Sequence, residues 1–138
     1  MRLRSNERSL MNDLVILKAD DGFHFLETRR FAETSIEAID IEDGIYTAYD
    51  AEGMKLQLAG APNNAGIISD PLEPEDCKAA LIPALREHFC RLGFPETAVS
   101  GLGFSELVTI GVERFLERPP ESFESRLRRL QRRLFSRD

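Results

Sequence analysis

Apolar residues recur with period two up to residue 58 and with a period near 3.6 from residue 74 onward. A strand turns successive side chains to opposite faces, whereas a helix returns to one face every three or four residues. A chain that changes period once places its strands before its helices. That segregation defines an α+β fold, not the alternating order of a parallel α/β sheet. The 138 residues are one domain's worth and suffice to bury a core without disulfides or metals. We therefore expect a single α+β domain over residues 1–138, with residues 1–12, polar and charged, as a flexible arm.

The strand half reads as a five-strand antiparallel meander over about residues 14–59. Residues 14–19 (LVILKA) and 23–28 (FHFLET) flank Asp20-Asp21-Gly22, a hairpin turn signal. Residues 36–42 are expected as the third strand. Ile36 and Ala38 share one parity and Ile39 and Ile41 the other, which implies a bulge near Ala38 or burial of both faces. Residues 45–49 (IYTAY) follow the Asp43-Gly44 turn and suit a central strand. Residues 54–58 alternate Met54, Leu56 and Leu58 with Lys55 and Gln57. Residues 60–70 (GAPNNAGIISD) read as a loop.

Three helices follow, over about residues 74–92, 104–117 and 120–135, all packed on one sheet face. The first opens on Pro74 with acids in its first turn, carries Cys77, Leu81, Leu85, Phe89 and Leu92 as a stripe, and ends at Gly93. Pro83 lies inside it and should kink or divide it. Residues 94–103 read as a second loop, with Ser105 capping the next helix. That helix has a wide apolar arc (Phe104, Leu107, Val108, Ile110, Val112, Phe115, Leu116) and a narrow polar strip of Glu106, Thr109, Glu113 and Glu117. It should lie directly on the sheet. The last helix sets Phe123, Leu127, Leu130 and Leu134 against Arg126, Arg128, Arg129, Arg132 and Arg133.

Charge is distributed unevenly. Residues 31–54 hold Glu33, Glu37, Asp40, Glu42, Asp43, Asp50 and Glu52, with no Lys or Arg. Residues 126–138 hold six Arg and one Asp, and the other residues carry 12 basic against 23 acidic side chains. A strongly acidic body repels polyanions and steers toward basic partners. The arginine face is expected to meet that body, a protein or a second copy of the chain; a nucleic-acid contact is the competing reading.

No sequence pattern carries catalytic chemistry. Cys77 and Cys90 fall in one expected helix about 20 Å apart, beyond disulfide reach, and read as reduced thiols. His24 and His88 are the two histidines, and neither belongs to a zinc-binding spacing. Ser100-Gly-Leu-Gly-Phe-Ser105 lacks the continuation of a phosphate-binding loop. No metal or cofactor is expected. Neither a membrane span nor a signal-type apolar stretch in MRLRSNERSL is apparent, so the expected location is cytoplasmic.

The expected function is a non-catalytic interaction module of the adaptor, inhibitor or immunity type. Its acidic sheet surface, carried by Glu37, Asp40, Glu42, Asp43 and Asp50, would face a protein partner, a basic one by charge. A homodimer is a further option. The second reading is a nucleic-acid-associated protein working through Arg126, Arg128, Arg129, Arg132 and Arg133. The third is a small-molecule-binding protein or enzyme with a pocket between the sheet and the helices, which would need two or more strongly shifted ionisable groups in that pocket.

Overall fold

The hairpin forms where the sequence places it. β1 (Val15–Ala19) pairs antiparallel with β2 (Gly22–Leu26), and Ala19 lies opposite Gly22. Gly22 has φ +123°, where a side chain is strained, and a Cβ there would sit 2.6 Å from Nδ1 of His88. The structure is a computed structural model that describes residues 13–119. The expected arm (1–12) and the expected last helix (120–135), with its five arginines, lie outside the described residues.

β1 is apolar on both faces because both faces are covered. Leu14 and Ile16 are buried on one side, Val15 and Leu17 on the other. The fold class is α+β as expected, but the third strand is not where the alternation put it. Residues 29–42 form two short helices, α1 (Arg29–Ser35) and α2 (Ala38–Glu42). Thr28 caps α1, its side chain accepting from the Phe31 N–H at 3.1 Å. Ala32 and Ile36, four apart, are the buried residues of this stretch, whereas Ile39 is 56% exposed. The parity that resembled a bulged strand thus comes from three settings: Ile36 buried in the extended link between the helices, Ile39 turned outward on α2, and Ile41 half-buried against the core.

The strands that follow are β3 (Thr47–Tyr49), β4 (Lys55–Gly60) and β5 (Gly66–Ser69). The sheet is not a simple meander. β3 pairs with β1 rather than β2, giving the order β5-β4-β3-β1-β2-β6. The expected loop at 60–70 holds β5. Its Pro and two Asn make only the turn, closed by Ala61 N–H donating to Ala65 O at 2.8 Å, with Asn64 at φ 65°. Ile67 and Ile68 beyond that turn pair with Ala59 and Leu58.

The helical half gives α3 (Lys78–Arg91), α4 (Glu96–Val99) and α5 (Phe104–Phe115), then β6 (Leu116–Glu117), which runs parallel to β2. Residues 74–76 are not helical. Met54 bridges Asp76, and Lys55 N–H donates to Glu75 O at 3.0 Å, which holds this stretch extended beside β4. Cys77 is therefore the N-cap of α3, and Leu92 lies past its end, half exposed. Pro83 does not divide α3, which is continuous across it. Gly103, not Ser105, caps α5, and its N–H donates to Oε1 of Glu106 at 3.4 Å.

The helices occupy both sheet faces, not one. α3 and α5 cover Ile16, Phe23 and Phe25 with Leu81, Leu85, Phe89, Leu107 and Val108. α1 covers Val15, Leu26, Ala48, Leu56 and Ile68 on the opposite face with Ala32 and Ile36. The second layer exists because residues 29–42 are helical, so it could not be anticipated once they were read as strand. Each fully buried Leu, Ile or Phe contributes about 1.5–3 kcal/mol, which makes both layers indispensable to the fold.

Candidate functional site

The sheet register puts two polar side chains, His24 and Glu117, beside apolar partners on one face. Leu17 on β1 lies opposite His24 on β2, and Leu26 on β2 lies opposite Glu117 on β6. Leu17 and Leu26 belong to the α1-side core, so His24 and Glu117 emerge on that same face beyond the helix. There they border a cleft of about 260 Å³. Leu17, Ala19 and Leu26 form its apolar floor, and Asp21, Ser35 and Tyr46 complete the rim.

His24 is held at both ring nitrogens. Nδ1 lies 2.8 Å from Oε2 of Glu117 and Nε2 lies 2.9 Å from Oδ1 of Asp21. A neutral imidazole has one N–H, and two carboxylate acceptors require two donors, so the geometry selects the imidazolium. Burial opposes the charged form of His24, but hydrogen bonding to Asp21 and Glu117, and their charges, raise its pKa above the ordinary value of 6.5. The same hydrogen bond lowers the pKa of Asp21. Tyr46 is pushed up, first by burial and then by the charges of Asp40, Glu37, Asp21 and Asp20. Those acids come from α2 and from the β1–β2 turn, so the rim of the cleft and the acidic helix form one electrostatic region.

His88 sits on the other side of the sheet. It is buried, its ring packs against Phe23 and Phe89, and Nδ1 accepts from the Phe23 N–H at 3.4 Å. An acceptor nitrogen is unprotonated, and burial, followed by the charges of His24 and Arg91, lowers the pKa of His88. The two histidines therefore have opposite effects on stability. His24 binds its proton more tightly in the folded state. Its contribution is complete below pH 6.5, the ordinary value, and is lost as pH rises through the raised value. His88 releases its proton on folding, so it costs stability as pH falls through 6.5 toward the lowered value. We expect His24→Gln to lower stability by about 1 kcal/mol or less, since its partners are largely exposed. Urea titrations from about pH 5 to about pH 9 should show that deficit greatest at the acid end. A deficit growing toward alkaline pH would contradict the imidazolium assignment.

The acids singled out in the sequence divide into two groups. Glu37, Asp40, Glu42 and Asp43 lie on α2 or at its ends, not on a strand. Among the described residues none of the four forms an ion pair. Ile39, exposed, stands among them. Asp50 lies apart and organises a turn. Its Oδ1 accepts from the N–H groups of Glu52 and Met54 at 2.9 and 3.0 Å. Glu33 is tied to β5, its Oε2 accepting from the Ile68 N–H at 2.8 Å. The arginine set at 126–133 lies outside the described residues. Glu117, placed by sequence on a helix surface, is instead a ligand of His24.

Sequence reasoning missed the cleft. Asp21 and His24 face each other across the hairpin turn, a spacing of three that the turn signal made available. Glu117 is 93 residues from His24, and no local pattern links them.

Other chemistry has less to stand on. Among the described residues no group of three or more His, Cys, Asp or Glu is arranged to hold a metal, and no described helix is long and apolar enough to cross a membrane. Cys77 and Cys90 are free. Burial and the carboxylate of Glu75 raise the pKa of Cys77, which disfavours the thiolate. A second cleft, of about 240 Å³, sets Lys55 near Glu73 and Glu75 and so carries both signs of charge. Compared with known protein families, with curated proteins and with solved structures, the chain matches none.

Proposed function

We propose that this protein is a non-catalytic, cytoplasmic interaction module that binds a basic protein partner through the acidic region around α2. The observation that carries the reading is the grouping of Glu37, Asp40, Glu42 and Asp43 on one short exposed helix, unpaired among the described residues, around the exposed Ile39. Acids that already neutralise neighbouring cations have little attraction left for a partner; these have kept theirs. An apolar side chain inside a charged rim is the arrangement that interfaces use to combine burial with steering. The cleft supports the non-catalytic part of the reading, because His24 has both nitrogens committed to carboxylates and none left to accept a proton.

The test uses a fluorescent, unstructured peptide of alternating lysine and serine as the basic probe. Its association rate with the full chain should fall steeply as salt is raised. Replacing Asp40, Glu42 and Asp43 together by Asn, Gln and Asn should slow association about tenfold at low salt and flatten the salt dependence. Equal rates and equal slopes for the two proteins would remove the α2 region as the binding surface.

The cleft also gathers Asp21, His24 and Tyr46, whose pKa values are all displaced, around one apolar floor. We propose small-molecule binding as the second reading, resting on that observation.

A further inference from the structure

We propose that the cleft beside His24 is the seat for one long basic side chain, lysine or arginine, of the basic partner. The inference rests on the interaction reading above and gives it a point of anchorage.

The first argument is charge. One imidazolium faces two carboxylates, which leaves the cleft with a net charge of −1, one positive charge short of neutral. Among the described residues no Lys or Arg lines it. Asp20 from the β1–β2 turn and Glu37 and Asp40 from α2 act on Tyr46 at the rim in the same sense, so the potential there is negative from both sides. The second argument is hydrogen-bonding capacity. His24 uses Oδ1 of Asp21 and Oε2 of Glu117. Among the described residues Oδ2 of Asp21 and Oε1 of Glu117 make no hydrogen bond, and both side chains stay substantially exposed, at 71% and 48%. Two free carboxylate oxygens at the mouth of a cleft can accept from an ammonium or a guanidinium.

The third argument is shape, and it separates a basic side chain from other cations. The floor is Leu17, Ala19 and Leu26, apolar surface that offers nothing to a hydrated metal ion. Lysine and arginine instead carry three or four methylenes that pack on such a surface while the charged head reaches the polar end. Tyr46 adds an aromatic ring at the rim, where a cation gains further attraction. An anion would meet net negative charge there, and the His24 N–H groups and the Ser35 hydroxyl already donate to Asp21, Glu117 and the Phe31 carbonyl, which among the described residues leaves only the Tyr46 hydroxyl. The cleft of about 240 Å³ beside β4 already has Lys55 in its lining with Glu73 and Glu75, a long basic side chain of its own that the cleft at His24 lacks among the described residues.

The experiment titrates the full chain with three capped amino acids, followed by NMR. These are Nα-acetyl-lysine methylamide, its arginine counterpart, and the norleucine analogue, which keeps the alkyl stem and lacks the charge. The lysine or arginine compound should shift the resonances of Leu17, His24, Leu26 and Tyr46 with a Kd on the order of 1 mM, the range for a ligand of this size. The norleucine compound should not. The Asp21→Asn, Glu117→Gln double variant should weaken binding about tenfold. Because that variant also loosens His24, Tyr46→Leu serves as a second one; it keeps the apolar volume and should weaken binding several-fold.

Equal shifts from the norleucine compound, or cationic shifts confined to α2, would overturn the seat. If the lysine–serine peptide still binds through the α2 acids in that case, only the seat fails. If the peptide does not bind at all, the interaction reading beneath it fails too.

Discussion

Phe89→Ala is expected to cost about 3–5 kcal/mol of folding stability, the range for deleting a fully buried aromatic ring. Phe89 is 0% exposed on α3 and sits at the centre of an aromatic cluster. It stacks on Phe25 from β2 at 6.0 Å between centroids and on Phe115 from α5 at 5.9 Å, with Phe94 tilted against it at 5.7 Å. Removing it opens a cavity that three separate elements would have to close. Closure by one element would pull it from the other two, so little collapse is expected and the cost should fall near the top of the range. Urea denaturation at fixed pH gives the number. A loss below about 1 kcal/mol would mean that the cluster refills the space.

Gly111→Ala should also destabilise the fold, by the opposite route. Gly111 is buried within α5, and a Cβ built there would lie far inside van der Waals contact with the Phe25 ring. Phe25 cannot retreat, because it is itself 0% exposed and stacked on Phe89. Overpacking costs about 1–3 kcal/mol and occasionally more, and a ring that cannot retreat puts this site at the upper end; alanine returns about 1 kcal/mol of helix propensity. Shortening the obstacle should recover part of the loss. Phe25→Leu combined with Gly111→Ala is expected to be less destabilised than the sum of the single variants. Strict additivity in the double-mutant cycle would show that the two positions do not meet.

The legible parts of this fold were those in which one local pattern had one reading. The Asp20-Asp21-Gly22 turn could hardly be anything but a hairpin. The wide apolar arc from Phe104 to Phe115 could hardly be anything but a buried helix, and Gly111 within it explains how closely that helix approaches the sheet. Residues 36–42 misled because a five-residue helix completes less than two turns. Over that length Ile39 and Ile41, two apart and so of one parity, look like a strand. Residues 66–69 were hidden by the turn before them: Pro62, Asn63 and Asn64 made the whole stretch look irregular, although they only reverse the chain. β6 was absorbed into the end of α5, where Leu116 continued the apolar arc and Glu117 the polar strip. Its register beside β2 is what brings Glu117 to His24, so the candidate site was illegible for the same reason as the strand. The acidic character of residues 31–54, by contrast, survived the change from strand to helix. Charge is read from composition, and placing it on α2 rather than on a sheet surface altered its geometry without altering its sign.

β1 bears on how the molecule comes apart. Its alternate residues belong to different layers, Leu14 and Ile16 to the α3–α5 side and Val15 and Leu17 to the α1 side. β2 is divided in the same way between Phe25 and Leu26. Two separate hydrophobic clusters would ordinarily allow one to melt while the other persists. Here neither can be released without freeing the strand the other is built on, so the two layers form one cooperative unit. The described part of the chain should unfold in a single all-or-none transition, although its core is divided in two.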